Sequence, residues 1–366
     1  MSTYFSAREL LAPPTERAAF SDRQAYVCAE LSKVAYFRFE GGHTLDEALE
    51  VARTILGNDV RLKILEEQLK LVLAGSPSSA AEGHATLKML LSEAGFELVR
   101  TFHSDGTQAF LCTRAVILES GATKIIAYLA FRGTEPTDFK DIKTDIRAAL
   151  RTIEVGKEKI DLHSGYLDAF ELVREEIEAA LKATPNDQLI FTGHSLGGAL
   201  AIVTTRLLAS DSKGACYTFG APPVGSVEVQ NQLKTPVYQI VNEIDIVPRL
   251  PNPWSISAIK WLLRGIRLLL KTVTVIHTVL AKGTWDERLE AFMESMTRYR
   301  HPGYVSYLVG SGSAARLRFN VSSFDEFKWW TQMMWKKGFG GFTKMVSDHS
   351  IDIYIEKLRT HARGRQ

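Results

Sequence analysis

Gly193-His194-Ser195-Leu196-Gly197-Gly198 sets a serine between two glycines, each two residues away. A serine hydroxyl becomes a nucleophile only when a base removes its proton, and a tight strand-to-helix bend holds that hydroxyl where base and substrate can reach it. Such a bend crowds its neighbours, which is the physical reason for glycine at 193 and 197. The flanks suit the bend: the β-prone run Leu189-Ile190-Phe191 precedes it, and Ala199-Leu200-Ala201-Ile202-Val203 follows at helical spacing up to about Leu208. The segment reads as a nucleophile elbow with the Ser195 hydroxyl exposed at its tip.

The same chemistry needs a histidine to take the proton and a carboxylate to hold the resulting imidazolium; where a strand-to-helix elbow carries the serine, the chain order is serine, acid, histidine. Asp245, in Val241-Asn242-Glu243-Ile244-Asp245-Ile246-Val247-Pro248, follows an apolar strand and precedes a proline turn, so it falls at the sheet edge where ligands sit. Three histidines come later: His277, His301 and His349. His301 is followed by Pro302-Gly303 and a strand, which suits a turn anchor. His349 opens the helical run Ile351 to Leu358 and is the preferred base, with His301 as its competitor. His194 and His163 read as structural.

A tetrahedral intermediate also needs amide donors for its oxygen. Leu196 supplies one N–H, and the second is expected in Phe131-Arg132-Gly133-Thr134, where Gly133 permits close approach and Thr134 adds a hydroxyl to its own N–H.

The elements that must position these residues are legible in outline. Residues 22–73 show helical periodicity, predicting a helical N-terminal region over 1–80, and a short helix is expected near Leu87 to Leu91. Phe96 to Phe102 and Ala109 to Leu118 read as a hairpin about Asp105-Gly106. Strands follow at Lys124 to Phe131, Ala215 to Phe219 and Val237 to Val241, with helices at about Tyr166 to Leu181 and around Glu228 to Leu233. Strands alternating with helices predict a largely parallel sheet covered on both faces, with antiparallel strands at one edge.

Composition bounds the rest. With 366 residues, of which 45% are hydrophobic and 23% charged, the chain can bury a large α/β core. A formal charge of +2 gives no field that would draw a nucleic acid. Cys28, Cys112 and Cys216 lie apart in apolar settings and read as buried thiols, without disulfide or metal-ligand spacing, so neither metal nor cofactor is expected. Residues 1–20 carry Arg8, Glu9, Glu16 and Arg17 and lack a secretory core. No run is long and apolar enough to span a bilayer, so a cytoplasmic location or export by a signal-less route is expected.

Taken together, Phe131-Arg132-Gly133-Thr134, Leu162-His163-Ser164-Gly165-Tyr166, the Ser195 segment, Phe219-Gly220-Ala221-Pro222-Pro223-Val224-Gly225 and Asn242 to Pro248 resemble the class 3, fungal-type lipases in order and composition. The resemblance spans roughly residues 95–250 plus the histidine near 349. It implies an α/β-hydrolase fold over 81–366, a mostly parallel sheet flanked by helices, and a serine carboxylic ester hydrolase acting on acylglycerol-type lipids through an acyl-enzyme. It implies Ser195 as nucleophile, Asp245 as acid, His349 as base, and Thr134 with Leu196 as oxyanion donors. It also implies a lid over 135–160, where Phe139, Ile142 and Ile146 alternate with Lys140, Asp141, Lys143 and Arg147.

The alternatives are a phospholipase A or galactolipid acylhydrolase, or a hydrolase-like scaffold that binds lipid or protein without turnover. Two features depart from the family pattern: the N-terminal helical region, read as dispensable for the chemistry, and a helical insert over 255–297 ahead of the histidine. In the insert Lys260, Arg264, Arg267 and Lys271 share a helix face beside Leu262, Leu263, Ile266 and Leu270, a pattern suited to an anionic lipid interface or to a core-packed helix. Trp329, Trp330 and Trp335 suit an interface, but tryptophans more often fill cores.

Overall fold

The computed structural model describes residues 4–12, 19–37, 80–118, 120–133, 150–209, 213–231, 233–243, 245, 247–249, 298–322, 325, 328–329 and 348–365. Among them, strands β1 (Glu97–Ser104), β2 (Thr107–Ile117), β3 (Thr123–Phe131), β6 (Gln188–His194), β7 (Ala215–Phe219), β8 (Val237–Asn242), β9 (Tyr304–Val309) and β10 (Arg316–Phe319) form one sheet in the order β1-β2-β3-β6-β7-β8-β9-β10. From β3 to β9 neighbours pair in parallel, and β1, β2 and β10 add antiparallel edges. A separate hairpin joins β4 (Leu150–Val155) to β5 (Glu158–His163).

The central strands are apolar along their whole length because both faces are covered. In β3, Ile126, Tyr128 and Ala130 enter one core while Ala127, Leu129 and Phe131 enter the other. The first core lies under helices α1 (Asp22–Val34), α2 (Ala80–Glu93) and α6 (Ile351–Arg363). The second lies under α3 (Ser164–Glu171), α4 (Arg174–Ala183) and α5 (Leu196–Leu208). With helices on both sides of a mainly parallel sheet, this is the α/β-hydrolase fold.

Helix α1 is buried over most of its circumference, between the sheet and α6. Ser21 caps it by accepting from the Gln24 N–H at 3.2 Å. Its polar side chains find partners within the core: Ser32 meets Thr192 at 2.9 Å and Gln24 donates to the Tyr128 hydroxyl at 3.3 Å. On α6, Ile351, Tyr354, Ile355, Leu358 and Ala362 form the apolar stripe that covers the sheet beside it. The three thiols are buried, Cys28 on α1, Cys112 on β2 and Cys216 on β7.

Several expectations change. The single helix read over Tyr166 to Leu181 is two, because Val173 leaves helical geometry (φ −120°, ψ 0°) and turns its side chain into the core. The segment around Glu228 is one short 3-10 turn, Val227–Gln230. Residues 150–160 of the stretch read as an amphipathic lid instead pair as the β4–β5 hairpin, turning at Gly156 (φ +64°), with Ile153, Ile160 and Leu162 facing the second core. The rest of that stretch, residues 38–79 of the N-terminal region, and the whole 255–297 insert with His277 lie outside the described residues. Trp329 packs against Tyr307 with ring centroids 5.7 Å apart, whereas Trp330 and Trp335 lie outside. Among the described residues, no helix is long and apolar enough to cross a membrane.

Candidate active site

The bend after β6 is made by backbone crowding. Ser195 sits at φ +56°, ψ −128°, a conformation L-residues rarely hold, as the cap of α5. The Ser195 N–H is tied to the Phe219 carbonyl at 2.9 Å, so β7 braces the strained residue. A Cβ at Gly193 would fall 2.2 Å from the Gly197 carbonyl, and one at Gly197 would fall 2.3 Å from the Phe131 carbonyl. Glycine at both places lets α5 start directly against the ends of β6 and β3.

Asp245 lies past the end of β8, fully buried. Its Oδ1 accepts the Val247 N–H at 2.9 Å, and its Oδ2 accepts from the Tyr354 hydroxyl at 2.6 Å and His349 Nδ1 at 2.7 Å. A buried carboxylate is tolerable only with such a set of donors. Burial, then Asp245, pushes the Tyr354 pKa well above the usual tyrosine value, so its hydroxyl stays a donor. Because His349 Nδ1 donates to the carboxylate, Nε2 presents a lone pair, and it lies 2.8 Å from Ser195 Oγ. Gly220, at φ +59°, keeps this space open; a Cβ there would come within 2.8 Å of Asp245 Oδ2 and 3.0 Å of the His349 ring.

The structure thus brings Ser195, His349 and Asp245 into one hydrogen-bonded line. It leaves His301 outside that line, bridging Gln239 Oε1 at 2.8 Å and the Pro248 carbonyl at 2.6 Å. His163 stacks on Tyr166 with centroids 4.0 Å apart. Leu196, at the start of α5, directs its N–H toward the helix N-terminal end, where intrahelical acceptors are lacking. That end abuts the exit of β3 at Arg132-Gly133; Thr134, the next residue, lies outside the described residues.

One expectation is corrected here. Ser195 is 1% accessible rather than exposed, enclosed with Asp245 at 0% and His349 at 2%. Its hydroxyl is bonded to the His349 ring, and the glycine-packed bend draws the ends of β3 and β6 close to the start of α5.

The sequence reading also missed three residues. His194, beside the serine, directs Nε2 to the His349 backbone carbonyl at 2.6 Å and Nδ1 to the Tyr36 hydroxyl at 2.7 Å. The N-terminal region read as dispensable therefore reaches the site through Tyr36, just past α1. The third is Tyr354, the aspartate's phenolic donor on α6. Apart from the proximity of His194 to the serine, no local signal marks any of them.

Fold and site together place a serine, a histidine and an aspartate in hydrogen-bond series at one edge of a mainly parallel, helix-covered sheet. Residues 128–254 match the family described as Lipase (class 3). The matched stretch contains Ser195 and Asp245 but neither Tyr36 nor His349. The chain is 35% identical over 121 residues to a secreted mono- and diacylglycerol lipase of Fusarium solani, covering 29% of this chain and 36% of that protein. It is 32% identical over 155 residues to a lipase of Rhizomucor miehei, covering 38% and 41% respectively. The chain thus spans well under half the length of these relatives. The crystal structure of a lipase from Rhizopus microsporus var. chinensis overlaps 86% of this chain and 85% of its own, at 18% identity and a TM-score of 0.45.

Proposed function

We propose that this protein hydrolyses carboxylic esters of the acylglycerol type. The observation that carries the reading is the unbroken series Ser195 Oγ, His349 Nε2, His349 Nδ1 and Asp245 Oδ2, with links of 2.8 and 2.7 Å. In the proposed reaction His349 Nε2 takes the Ser195 proton as Oγ attacks the acyl carbonyl. Asp245 stabilises the imidazolium, and the Leu196 and Thr134 amides hold the oxyanion. Collapse breaks the C–O ester bond, and the alcohol leaves with the proton from His349. Water, deprotonated by the same imidazole, then releases the fatty acid and restores the serine.

The acylglycerol assignment rests on the activities named for the similar proteins, the mono- and diacylglycerol lipase above all. Because Ser195 is enclosed, an ester reaches it only after part of its cover moves aside. Contact with lipid is assigned to the basic, apolar stretch 255–297. Co-sedimentation with vesicles tests that assignment: binding that requires anionic lipid supports it, and equal recovery with neutral vesicles contradicts it.

The activity is tested by fatty-acid release from a triacylglycerol emulsion and by p-nitrophenyl ester hydrolysis, each with the unaltered protein and Ser195→Ala. The unaltered protein is expected to turn over both substrates and the variant neither. Hydrolysis by both proteins, or by neither, overturns the proposal.

A further inference from the structure

Two consecutive carbonyls fix the loop that carries His349. The Asn242 side chain, at the end of β8, donates to the Asp348 carbonyl at 2.9 Å, and His194, at the end of β6, meets the His349 carbonyl at 2.6 Å. The loop is thereby tied to the strand that precedes the aspartate and to the strand that precedes the serine.

The second tie fixes a proton. A carbonyl oxygen only accepts, so His194 Nε2 must carry hydrogen. In a neutral imidazole Nδ1 is then an acceptor, and the Tyr36 hydroxyl, 2.7 Å away, donates to it. Tyr36 can stand there because Gly133 has no side chain: a Cβ at 133 would fall 2.3 Å from the Tyr36 hydroxyl oxygen. Among the described residues, the titratable groups packed on the His194 ring are Tyr36, His349, with centroids 4.5 Å apart, and Tyr354 at 5.9 Å. None of them is an anion that would balance a charge on His194.

We propose that Tyr36 and His194 form a neutral positioning dyad, in which Tyr36 holds His194 as the Nε2–H tautomer so that it clamps the His349 backbone and sets the ring that serves Ser195. The inference rests on the proposed roles of Ser195 and His349. Its reach is specific: neither Tyr36 nor His194 touches substrate, and both act through His349. Burial and the neighbouring His349 hold the His194 pKa well below the ordinary histidine value, which agrees with a neutral ring. A cation at His194 would oppose the imidazolium that forms on His349 during turnover.

The test uses a soluble p-nitrophenyl ester and four variants. His194→Phe keeps a ring but loses the donor, and its kcat is expected to fall about tenfold or more at unchanged KM, since small displacements of a reacting group are severe. His194→Gln restores a neutral N–H donor and is expected to recover most of that rate, whereas Tyr36→Phe lowers kcat at unchanged KM. Nitrogen NMR of the unaltered protein is expected to show His194 as the Nε2–H tautomer, a reading that needs neither turnover nor a folded His194→Phe variant. Unaltered kcat in Tyr36→Phe, His194→Gln no better than a folded His194→Phe, or an Nδ1–H or cationic His194 overturns the dyad. Activity that survives Ser195→Ala would instead sink the underlying reading of the site while leaving the NMR result in force.

Discussion

The serine and the histidine of the site are held in opposite ways. Ser195 is placed by its own neighbourhood: a strand, a bend at φ +56°, and glycines at 193 and 197 whose missing side chains admit the backbone of the next element. His349 is placed from afar: Asn242 holds the carbonyl of the preceding Asp348, and His194 and Asp245 reach His349 itself, each across more than a hundred residues of chain. A nucleophile fixed by steric exclusion and a base fixed by hydrogen bonds should fail differently. Crowding the first damages the fold, whereas removing the second damages the rate.

The largest expected effect sharpens that contrast. His349→Ala is expected to lower kcat on the order of 10⁴-fold or more, as loss of a base in such a series does, while the urea midpoint shifts far less. His301→Ala, which cuts links to Gln239 and Pro248 rather than to Ser195, is expected to keep most of the activity. Reversal of those two outcomes breaks the comparison. Next comes Gly197→Ala, whose new Cβ meets the Phe131 carbonyl at 2.3 Å. Overpacking of this kind is expected to lower stability by about 3 kcal/mol, and denaturant unfolding reads it directly; a midpoint equal to that of the unaltered protein contradicts the crowding argument.

A smaller loss is expected for Tyr354→Phe, which takes a donor from Asp245 and an acceptor from the Asn242 N–H at 2.9 Å. Stability should fall by about 1–3 kcal/mol, with a lower kcat, because the acid that orients His349 is left less well held. The smallest effect concerns pH. His194 is buried neutral, with a pKa held well below 6.5. Below that pH the unfolded chain takes up a proton that the folded chain refuses, so this stability is intact above 6.5 and is lost as pH falls toward the depressed folded value. Urea midpoints across pH 8 to 5 should therefore decline more steeply for the unaltered protein than for His194→Gln, and equal declines count against a neutral His194.

The same contrast explains what could be read from sequence. The elbow was legible because its causes are local, a β-prone run, two glycines and a helical run in a few residues. The central strands were legible because burial on both faces makes each one continuously apolar. The β4–β5 hairpin was not, since Arg151, Glu154, Lys157 and Lys159 make its exposed side resemble the polar face of a helix. Tyr36 and Tyr354 were invisible as site residues because a tyrosine in an apolar helical stretch looks like core until its hydroxyl is located. His194 was read as structural because its place beside Ser195 suggested a ring turned away; the ring does turn from the serine, and reaches the backbone of the base instead. Burial of Ser195 is not legible for a related reason, since the sequence of a bend says nothing about which distant elements pack around it.

The central claim is that Ser195, activated by His349, forms the covalent acyl intermediate. The most direct measurement is mass analysis of peptides after treatment with a p-nitrophenyl phosphonate, which traps an activated serine. A single phosphonyl adduct on Ser195, absent from His349→Ala on the same timescale, is the predicted result. Labelling at another residue, or equal labelling of Ser195 without His349, would contradict the account.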